Sequence, residues 1–362
     1  MIAAFEFGGV NEALGTLAKI LLKHGVPRNP GNQTRTCMEF PGPILMKLNP
    51  RKRHVLVEER KWNFTLPYLE NLWISMGLND LDALPGKYVK SLYNFSDDGQ
   101  IWRAGYGPRI RNFKGRTFNE VRNTWNWPDW PKDGVDQLKF VVQTLRKDPF
   151  SRQAMITIAS PDDDCFDSEG ELLRTKDMPC TRSIQFMRSH EGKLDIHVDM
   201  RSNDLLWGAS AVNWFNFGQM LEYVSAMVDI PIGDYYHKAS NFHYYTDMVE
   251  TVQKISEVPA AKLIQLDEMS TSYPIIKSWS FEGFDDLLWT LFDLQNWAYE
   301  GSPMAIDALG KLPPDLWRDW GMVMLWLNRK TELQLKDEFF LENIRSEGLL
   351  NCVRAALAKE KR

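Results

Sequence analysis

The order of strand-like and helix-like segments in the chain predicts an α/β fold (α+β by some schemes) followed by a helical C-terminal region. Three segments between residues 154 and 201 alternate apolar and polar residues as strands do. Beyond residue 262, Trp, Leu and acidic residues recur at helical spacing instead. We therefore predict a main domain over residues 1–261 and a helical C-terminal extension over residues 262–362.

The first part of the chain contains two predicted helices. The segment 11–24 is the first, because Leu14, Leu17, Ile20 and Leu21 recur there at helical spacing. Residues 26–42 are interleaved with Pro, Gly and Asn and are predicted to be a loop. Strand-like I-L-M-K-L and H-V-L-V-E-E follow. The second helix is F-T-L-P-Y-L-E-N-L-W-I-S-M-G (64–77), whose single carboxylate is Glu70.

The middle of the chain supplies the remaining elements of the α/β prediction. D-Q-L-K-F-V-V-Q-T-L-R-K (136–147) is helical and ends at D-P-F-S-R-Q. Three segments alternate apolar and polar residues as strands do, with an acidic loop after the first. They are A-M-I-T-I-A-S, S-I-Q-F-M-R-S and K-L-D-I-H-V-D-M-R. W-F-N-F-G-Q-M-L-E-Y-V-S-A-M-V-D-I (214–230) indicates a long buried helix.

The bulk composition excludes several classes of protein. The chain has 362 residues and a net charge of −5, so it lacks the basic field that a nucleic-acid polymer requires. Its four cysteines form no C-x-x-C pair, so we expect neither a metal site nor disulfides. No apolar run approaches the ~20 residues of a membrane helix. The N-terminus lacks the features of a signal peptide, so we expect a cytoplasmic protein without membrane contact.

Several short motifs carry the chemical signal. M-P-C-T-R-S-I-Q-F contains Cys180, and R-S-N-D begins at Arg201. W-G-A-S-A-V-N-W-F-N-F and G-D-Y-Y-H-K-A-S-N-F-H-Y-Y follow. Upstream lie E-N-L-W at Glu70, R-A-G-Y-G-P-R (103–109) and D-P-F-S-R-Q (148–153). Each motif is weak alone, but their order and spacing together are specific.

These motifs resemble those of the thymidylate synthase and pyrimidine hydroxymethylase family, from about residue 20 to residue 260. The resemblance implies a three-layer fold with a twisted mixed sheet, helices on one face and a homodimer formed through the other face. It implies two substrates, a pyrimidine nucleoside monophosphate and the reduced folate 5,10-methylenetetrahydrofolate. The family attaches a one-carbon unit to C5 of the pyrimidine through a covalent cysteine adduct.

Cys180 is the predicted nucleophile. C6 of a uracil or cytosine ring accepts a thiolate, and the addition makes C5 nucleophilic. A free cysteine has a pKa of ~8.5, so neighbouring positive charge must favour its thiolate. Arg201 and Arg152 are candidates to supply that charge. The alternative for Cys180 is a small buried apolar residue, which is the usual environment of a free cysteine.

The resemblance also assigns roles to other residues of the motifs. Glu70 matches the family glutamate that orders water and assists proton transfers, and Tyr106 matches a tyrosine near the reacting ring. Their alternatives are a helix-surface glutamate and a core tyrosine. The remaining matches are the phosphate ligands Arg28 (with Arg35 as a rival), Arg201 and Ser202, the sugar-binding pair His243 and Tyr245, and the folate-contacting Asp204.

Arg152 resembles the arginine that family members lend across the dimer interface to the partner's phosphate site. Gln153 stands where the family usually has a second arginine. This substitution removes one cation from the expected phosphate site.

Three departures from the thymidylate synthase pattern concern the reaction. Thr181 replaces a histidine and Met200 a glutamine, while the chain ends in A-L-A-K-E-K-R and not in the short apolar tail that closes over folate. Hydride transfer to the exocyclic methylene gives a methyl group and needs a dry, closed site, whereas water gives a hydroxymethyl group. The sequence therefore favours hydroxymethylation, with thymidylate synthesis as the alternative.

The base depends on the residue that follows the motif glycine. Asparagine there can pair with N3–H and O4 of uracil, whereas aspartate favours cytosine. A one-residue insertion after Gly208 aligns Asn213 with that position, and without the insertion Val212 occupies it. We therefore expect dUMP, with dCMP and CMP as alternatives. A non-catalytic homologue that binds nucleotide or a regulatory partner is a further alternative, which the intact Cys180 and Glu70 disfavour.

Overall fold

The computed structural model describes residues 3–29, 35–116 and 133–360. Helices and strands alternate along the described chain as far as residue 245, and the chain is helical beyond it. The predicted α/β class with a helical C-terminal region is confirmed.

A six-stranded mixed sheet lies at the centre of the described chain. Its strand order is β1-β4-β9-β7-β6-β5, in which β1 and β4 are parallel, β7 and β9 are parallel, and the other neighbours are antiparallel. Ile184 and Phe186 of β6 are fully buried, as their alternation with polar residues predicts. The strands are β1 (Ala3–Phe7), β4 (Ile44–Leu48), β5 (Met155–Thr157), β6 (Thr181–Arg188), β7 (Leu194–Met200) and β9 (Ile232–Ala239).

A second sheet has four short strands in the order β2-β3-β10-β8. The prediction of a loop at 26–42 is wrong at β2 and β3, and residues 30–34 of that loop lie outside the described residues. Strands of two to four residues are too short to show an alternating pattern, which explains the error. The strands are β2 (Val26–Arg28), β3 (Cys37–Glu39), β8 (Asn203–Asp204) and β10 (Phe242–Tyr245).

The predicted helices of the main domain are confirmed to within two residues at each end. The first, α1, buries Leu14, Leu17 and Leu21 and is followed by Gly25. The α-helices before residue 230 are α1 (Val10–His24), α2 (Thr65–Ser75), α3 (Pro85–Tyr88), α4 (Tyr106–Arg111), α5 (Gln137–Lys147), α6 (Pro161–Asp164) and α7 (Trp214–Val228). A π-helix, Leu205–Asn213, runs directly into α7.

The predicted strand H-V-L-V-E-E is wrong, because residues 54–57 have no regular structure and Glu58–Arg60 is a 3₁₀-helix. The backbone N–H of Leu56 donates to Asn11 Oδ1 at 2.7 Å, so its partner is a side chain and not a neighbouring strand. His54 is fully buried and contacts the carbonyl oxygen of Ser270 and the hydroxyl of Tyr68. The apolar residues of this segment therefore fill the core without forming a strand.

The C-terminal helices pack against earlier helices of the chain. Trp320 Nε1 donates to the backbone carbonyl of Tyr68 at 2.9 Å, which joins α12 to α2. The predicted boundary at residue 261 falls inside α9, and the division into two domains stays a prediction. No described helix is long and apolar enough to cross a membrane. The helices are α8 (Val249–Glu257), α9 (Ala260–Glu268), α10 (Phe281–Tyr299), α11 (Met304–Lys311), α12 (Leu316–Leu327), α13 (Asp337–Asn343) and α14 (Glu347–Glu360).

Candidate active site

Cys180 directly precedes β6, in the loop that leads into the central sheet. Its side chain is half-buried. The Sγ atom lies 4.0 Å from the carbonyl oxygen of Met178, and the backbone N–H of Arg201 donates to the carbonyl of Cys180 at 2.8 Å. The predicted nucleophile is therefore held at the end of a central strand and is partly accessible.

Arg201 holds the cysteine loop with its guanidinium group. Its Nε and Nη2 donate to the backbone carbonyls of Pro179 and Met178, each at 2.9 Å. Burial raises the pKa of the Cys180 thiol, the charge of Arg201 lowers it, and the carboxylate of Asp177 raises it further. The net pKa lies above the ordinary value. The charge of Arg201 thus lowers the pKa of Cys180, as predicted, but the effect of burial is larger.

Arg103 and Asp177 brace the same loop from another side. Arg103 Nη2 donates to the backbone carbonyl of Asp177 at 2.7 Å, and its Nη1 donates to Asp164 Oδ1 at 3.1 Å. The backbone N–H of Ala104 donates to Asp177 Oδ2 at 2.7 Å. The sequence motifs do not predict these two contacts. Both residues nevertheless stand close to predicted site residues, since Arg103 lies three residues before Tyr106 in R-A-G-Y and Asp177 lies three residues before Cys180 in D-M-P-C.

Tyr106, at the start of α4, lies beside the cysteine. Its hydroxyl accepts a hydrogen bond at 3.0 Å from the backbone N–H of Thr181, the residue after Cys180. Burial raises the pKa of Tyr106 well above its usual range, and electrostatic interaction with Cys180 and Glu70 adds to the rise. The structure therefore places this predicted tyrosine next to the predicted nucleophile as a neutral phenol.

Glu70 is buried on α2, a helix that is apolar over most of its length. Its Oε1 accepts a hydrogen bond from Asn216 Nδ2 at 3.3 Å. Burial raises the pKa of Glu70 to about 8. The carboxyl group is consequently protonated in most molecules at neutral pH, which suits a group that donates and accepts protons. Its burial does not fit the alternative of a helix-surface glutamate.

Asp204 precedes the π-helix and caps its first turn. Its Oδ1 accepts hydrogen bonds from the backbone N–H groups of Leu206, at 2.8 Å, and Trp207. Its Oδ2 is buried and has no hydrogen-bond partner among the described residues. Burial raises the pKa of Asp204 to about 6, although the two backbone bonds and the nearby Arg60 and Arg35 act in the other direction. This carboxylate oxygen is an acceptor available to a ligand.

Asn213 ends the π-helix, the element that contains the one-residue insertion predicted after Gly208. A π-helical turn accommodates one more residue than an α-helical turn in the same length, so this element can absorb the insertion after Gly208. The buried Nδ2 of Asn213 lies 3.5 Å from the Sδ of Met200, which pairs with Thr181 in the sheet. Asn213 is thus near the residue that follows Cys180.

Arg60 and Trp62 bind the π-helix from outside. Arg60 Nη2 donates to the carbonyl of Leu206 at 2.5 Å and its Nε donates to Ser210 Oγ at 2.9 Å. Trp62 Nε1 donates to the carbonyl of Ala211 at 2.8 Å. These bonds satisfy carbonyl groups within the irregular helix. The sequence motifs do not predict either residue, because both precede the matched E-N-L-W helix and belong to none of the motifs.

The second sheet collects the predicted phosphate and sugar ligands around Asn241. Asn241 Oδ1 accepts a hydrogen bond from Ser202 Oγ at 3.2 Å and lies 2.7 Å from His243 Nδ1. Burial and the charge of Arg35 lower the pKa of His243 to about 4, so the imidazole is neutral. Since Nδ1 must donate to the amide oxygen of Asn241, His243 Nε2 is left as an acceptor for a hydroxyl group.

Arg28 and Arg35, the two rival phosphate ligands, have different surroundings. Arg28 is mostly exposed, and its Nε lies 2.6 Å from Glu39 Oε2, which also accepts a hydrogen bond from Asn241. Arg35 forms an ion pair with Asp247 at 2.6 Å. Its guanidinium also stacks over the ring of Tyr245, 3.9 Å from the centroid. Arg28 is therefore linked through Glu39 to the Ser202 and His243 cluster.

Arg152 is exposed on the segment that leads into β5. Its backbone carbonyl accepts a hydrogen bond from Gln185 Nε2 at 2.9 Å. None of the hydrogen bonds or ion pairs found among the described residues joins its side chain to the cysteine loop or the second sheet. The bonds among the described residues therefore do not link the side chain of Arg152 to the other predicted site residues. The described residues contain no group of three or more His, Cys, Asp or Glu arranged to hold a metal ion.

The fold agrees with comparisons to known proteins. The thymidylate synthase family model matches residues 14–298, and the chain belongs to the thymidylate synthase family. Among solved structures, thymidylate synthase A from Bacillus subtilis has a similar fold, with a TM-score of 0.53 and 19% sequence identity. The similarity covers 69% of this chain and 84% of that chain.

Three phage proteins named deoxyuridylate hydroxymethyltransferase are similar in sequence. The protein of Bacillus phage SP01 is 32% identical over 222 residues, which are 59% of this chain and 53% of that protein. The protein of Pseudomonas phage M6 is 29% identical over 223 residues, 61% and 56% of the two chains. The protein of Delftia phage PhiW-14 is 27% identical over 211 residues, which are 57% of this chain and 53% of that protein. The chain thus spans about half the length of these relatives.

Proposed function

We propose that this protein is a deoxyuridylate hydroxymethyltransferase, which attaches a hydroxymethyl group to C5 of dUMP. The observation that carries this proposal is the similarity to three phage proteins of that name. The grouping of Cys180, Tyr106 and Glu70 supports it, since it offers a nucleophile and two proton-transferring groups in one place. We assign the catalytic roles to these three residues and base recognition to Asn213.

The nucleotide is bound mainly through the second sheet. Arg28, Arg201 and Ser202 hold the phosphate, and His243 and Tyr245 bind the sugar hydroxyl. The neutral imidazole of His243 supports this role, because Nε2 is left to accept a hydrogen bond. In a homodimer, the exposed Arg152 of each chain would complete the phosphate site of the other.

The reaction begins when the thiolate of Cys180 adds to C6 of the pyrimidine. The new S–C6 bond displaces the electron pair of the C5–C6 double bond, so C5 becomes the nucleophile and forms a bond to the one-carbon unit. The C5 proton is then lost and the bond between the one-carbon unit and the folate amine breaks, which releases tetrahydrofolate and leaves an exocyclic methylene on C5. Water adds to this methylene, and the electron pair returned to C5 expels the thiolate from C6 and restores the C5–C6 double bond. Because burial raises the pKa of Cys180, the charge of Arg201 is needed at the first step.

The cosubstrate in this proposal is 5,10-methylenetetrahydrofolate, which supplies the one-carbon unit when it is bound. The buried Oδ2 of Asp204 fits such a ligand, because a pterin ring presents N–H donors and this oxygen has no partner among the described residues. In this proposal Glu70 gives or takes protons and orders the attacking water, and its protonation at neutral pH supports that role. We expect the reaction to take place in the cytoplasm.

Mass spectrometry of the products tests the reaction and the base together. The protein is incubated with methylenetetrahydrofolate and, separately, with dUMP, dCMP or CMP. We expect only dUMP to react well, with a mass gain of one CH₂O unit. A gain of one CH₂ unit would identify thymidylate synthesis instead, and a preference for dCMP or CMP would contradict the assignment of Asn213.

Replacement of Cys180 tests whether the protein is an enzyme of this kind at all. Cys180→Ala should abolish the release of tritium from [5-³H]dUMP while leaving dUMP binding largely intact, because the phosphate ligands are separate residues. Cys180→Ser is the isosteric control. Release of tritium by the alanine variant would remove Cys180 from the mechanism, and the absence of release by the wild-type protein would indicate a binding homologue.

A further inference from the structure

A row of buried amide side chains lies behind Glu70, between α2 and α7. Asn216 Nδ2 donates to Glu70 Oε1 at 3.3 Å, and Asn71 Nδ2 donates to the backbone carbonyl of Asn216 at 3.0 Å. Gln219 Nε2 lies 3.5 Å from Asn71 Oδ1. The exposed fractions of Asn71, Asn216 and Gln219 are 1%, 4% and 0%. Apolar residues would pack two helices without the desolvation cost of three amides, so the row has another use.

We propose that Asn216 is a positioning residue that fixes the carboxyl group of Glu70 for proton transfer. The inference deepens the proposed function and rests on the role assigned there to Glu70. Because Asn216 occupies Oε1, the second oxygen is the one left to carry the transferable proton. Asn71 restrains the backbone of Asn216, and Gln219 restrains Asn71. Each amide therefore limits the freedom of the next, as the groups that support a catalytic carboxyl group must.

The charges around Glu70 leave this amide as its main polar partner. Tyr106 on α4 is the titratable group that interacts electrostatically with Glu70, and burial keeps it neutral. Other groups contact other parts of α2. Arg111 and Tyr223 bond to Ser75 at its C-terminal end, and Asp319 faces Tyr68.

Asn216→Leu removes the amide and keeps the approximate size of the side chain. A donor stabilises a carboxylate more than a carboxylic acid, so its loss raises the pKa of Glu70. The limb of the pH–rate profile that Glu70→Gln abolishes should move to higher pH. We expect kcat to fall about 10- to 100-fold and Kd for dUMP to change less than about threefold.

Gln219→Met is the matched control. Gln219 lies one turn further along α7, is equally buried and belongs to the same row, but does not bond to Glu70. If Asn216 only stabilises the helix pair, both variants will lose thermal stability and neither will move the profile. That outcome would overturn the inference, whereas a shift confined to Asn216→Leu would support it.

An infrared titration separates this inference from the proposed function. The carbonyl band of protonated Glu70, identified by subtracting the Glu70→Gln spectrum, reports its titration without any turnover. Its midpoint should rise in Asn216→Leu even if the product is not hydroxymethyl-dUMP. If the leucine variant does not fold, Asn216→Asp serves instead. Two carboxyl groups in contact share a proton, so the band should titrate in two separated steps. An unchanged single step would refute the positioning role.

Discussion

Substitution of Arg201 should separate its two effects on Cys180, the charge and the geometry. Arg201 donates to two carbonyl groups of the cysteine loop, both at 2.9 Å. Lysine keeps the charge but presents all its N–H donors at one nitrogen, whereas Arg201 reaches the two carbonyls with two nitrogens, so we expect lysine to retain one of these bonds. Glutamine removes the charge as well. The series of arginine, lysine and glutamine thus weakens the loop stepwise.

The expected magnitude follows from the bonds that are lost. A hydrogen bond to a charged group contributes ~1.5–3 kcal/mol. Arg201 is exposed, so solvent reduces this value to about 1 kcal/mol per bond. Losing one bond lowers the population of the ordered loop about fivefold, and losing both lowers it about 30-fold. We expect kcat to fall by about these factors in Arg201→Lys and Arg201→Gln.

Two assays measure the two effects. Steady-state kcat at saturating dUMP and folate reports the geometry. Alkylation by iodoacetamide as a function of pH reports the thiolate of Cys180. It requires a Cys165→Ser background, because Cys165 is exposed whereas Cys37 and Cys352 are buried. The midpoint of alkylation should stay unchanged with lysine and rise with glutamine.

Two results would contradict these roles of Arg201. A lysine variant with wild-type kcat would mean that the paired carbonyl bonds do not position the cysteine. A glutamine variant with an unchanged alkylation midpoint would mean that Arg201 does not favour the thiolate, and another source of positive charge would be needed for the first chemical step.

The remaining predictions concern Glu70, Asn213 and Arg152. Because the pKa of Glu70 rises from 4.5 to about 8 on folding, the unfolded chain releases a proton that the native state keeps, and stability falls as pH rises through that window. Denaturant unfolding should show that Glu70→Gln removes this part of the pH dependence, on the order of a few kcal/mol at pH 9. Equal slopes for both proteins would refute it. Asn213→Asp should move the ratio of kcat/KM for dUMP and dCMP toward dCMP by roughly one to two powers of ten, since a buried polar mismatch costs about 1–3 kcal/mol. If both values stay unchanged, Asn213 does not contact the base. Mixing Cys180→Ala with Arg152→Ala should give mixed dimers with higher activity than either variant alone, measured by tritium release. A fully active monomer would contradict the shared arginine.

The long elements of the fold could be predicted because each repeats its pattern several times. Helix α1 buries an apolar residue on every turn, and β6 alternates its fully buried Ile184 and Phe186 with less buried neighbours. The strands β2, β3 and β8 are two or three residues long, so no period can develop in them. Conversely, the apolar run at 54–57 has the composition of a strand but finds its hydrogen-bond partners in side chains. The local sequence pattern alone therefore does not determine whether such a segment forms a strand.

The same distinction applies to the candidate site. Cys180, Tyr106 and Glu70 belong to motifs, so they could be selected from the sequence before their proximity was known. Glu39 and Asn241 belong to none of the matched roles, and their importance depends on the second sheet that brings them to Arg28 and His243. Contacts between residues about 200 positions apart arise only from tertiary structure.

The π-helix also determines which way the helix after it faces. In an α-helix each added residue turns all later side chains by about 100° around the axis. If the extra residue predicted after Gly208 were accommodated without the wider turn, Asn216 would point away from Glu70 and an apolar neighbour would take its place. The wide turn takes up that rotation locally, so α7 keeps its angular phase with α2. The effect of the predicted insertion is thereby confined to the π-helix, and the pairing between the two long helices is unaffected by it.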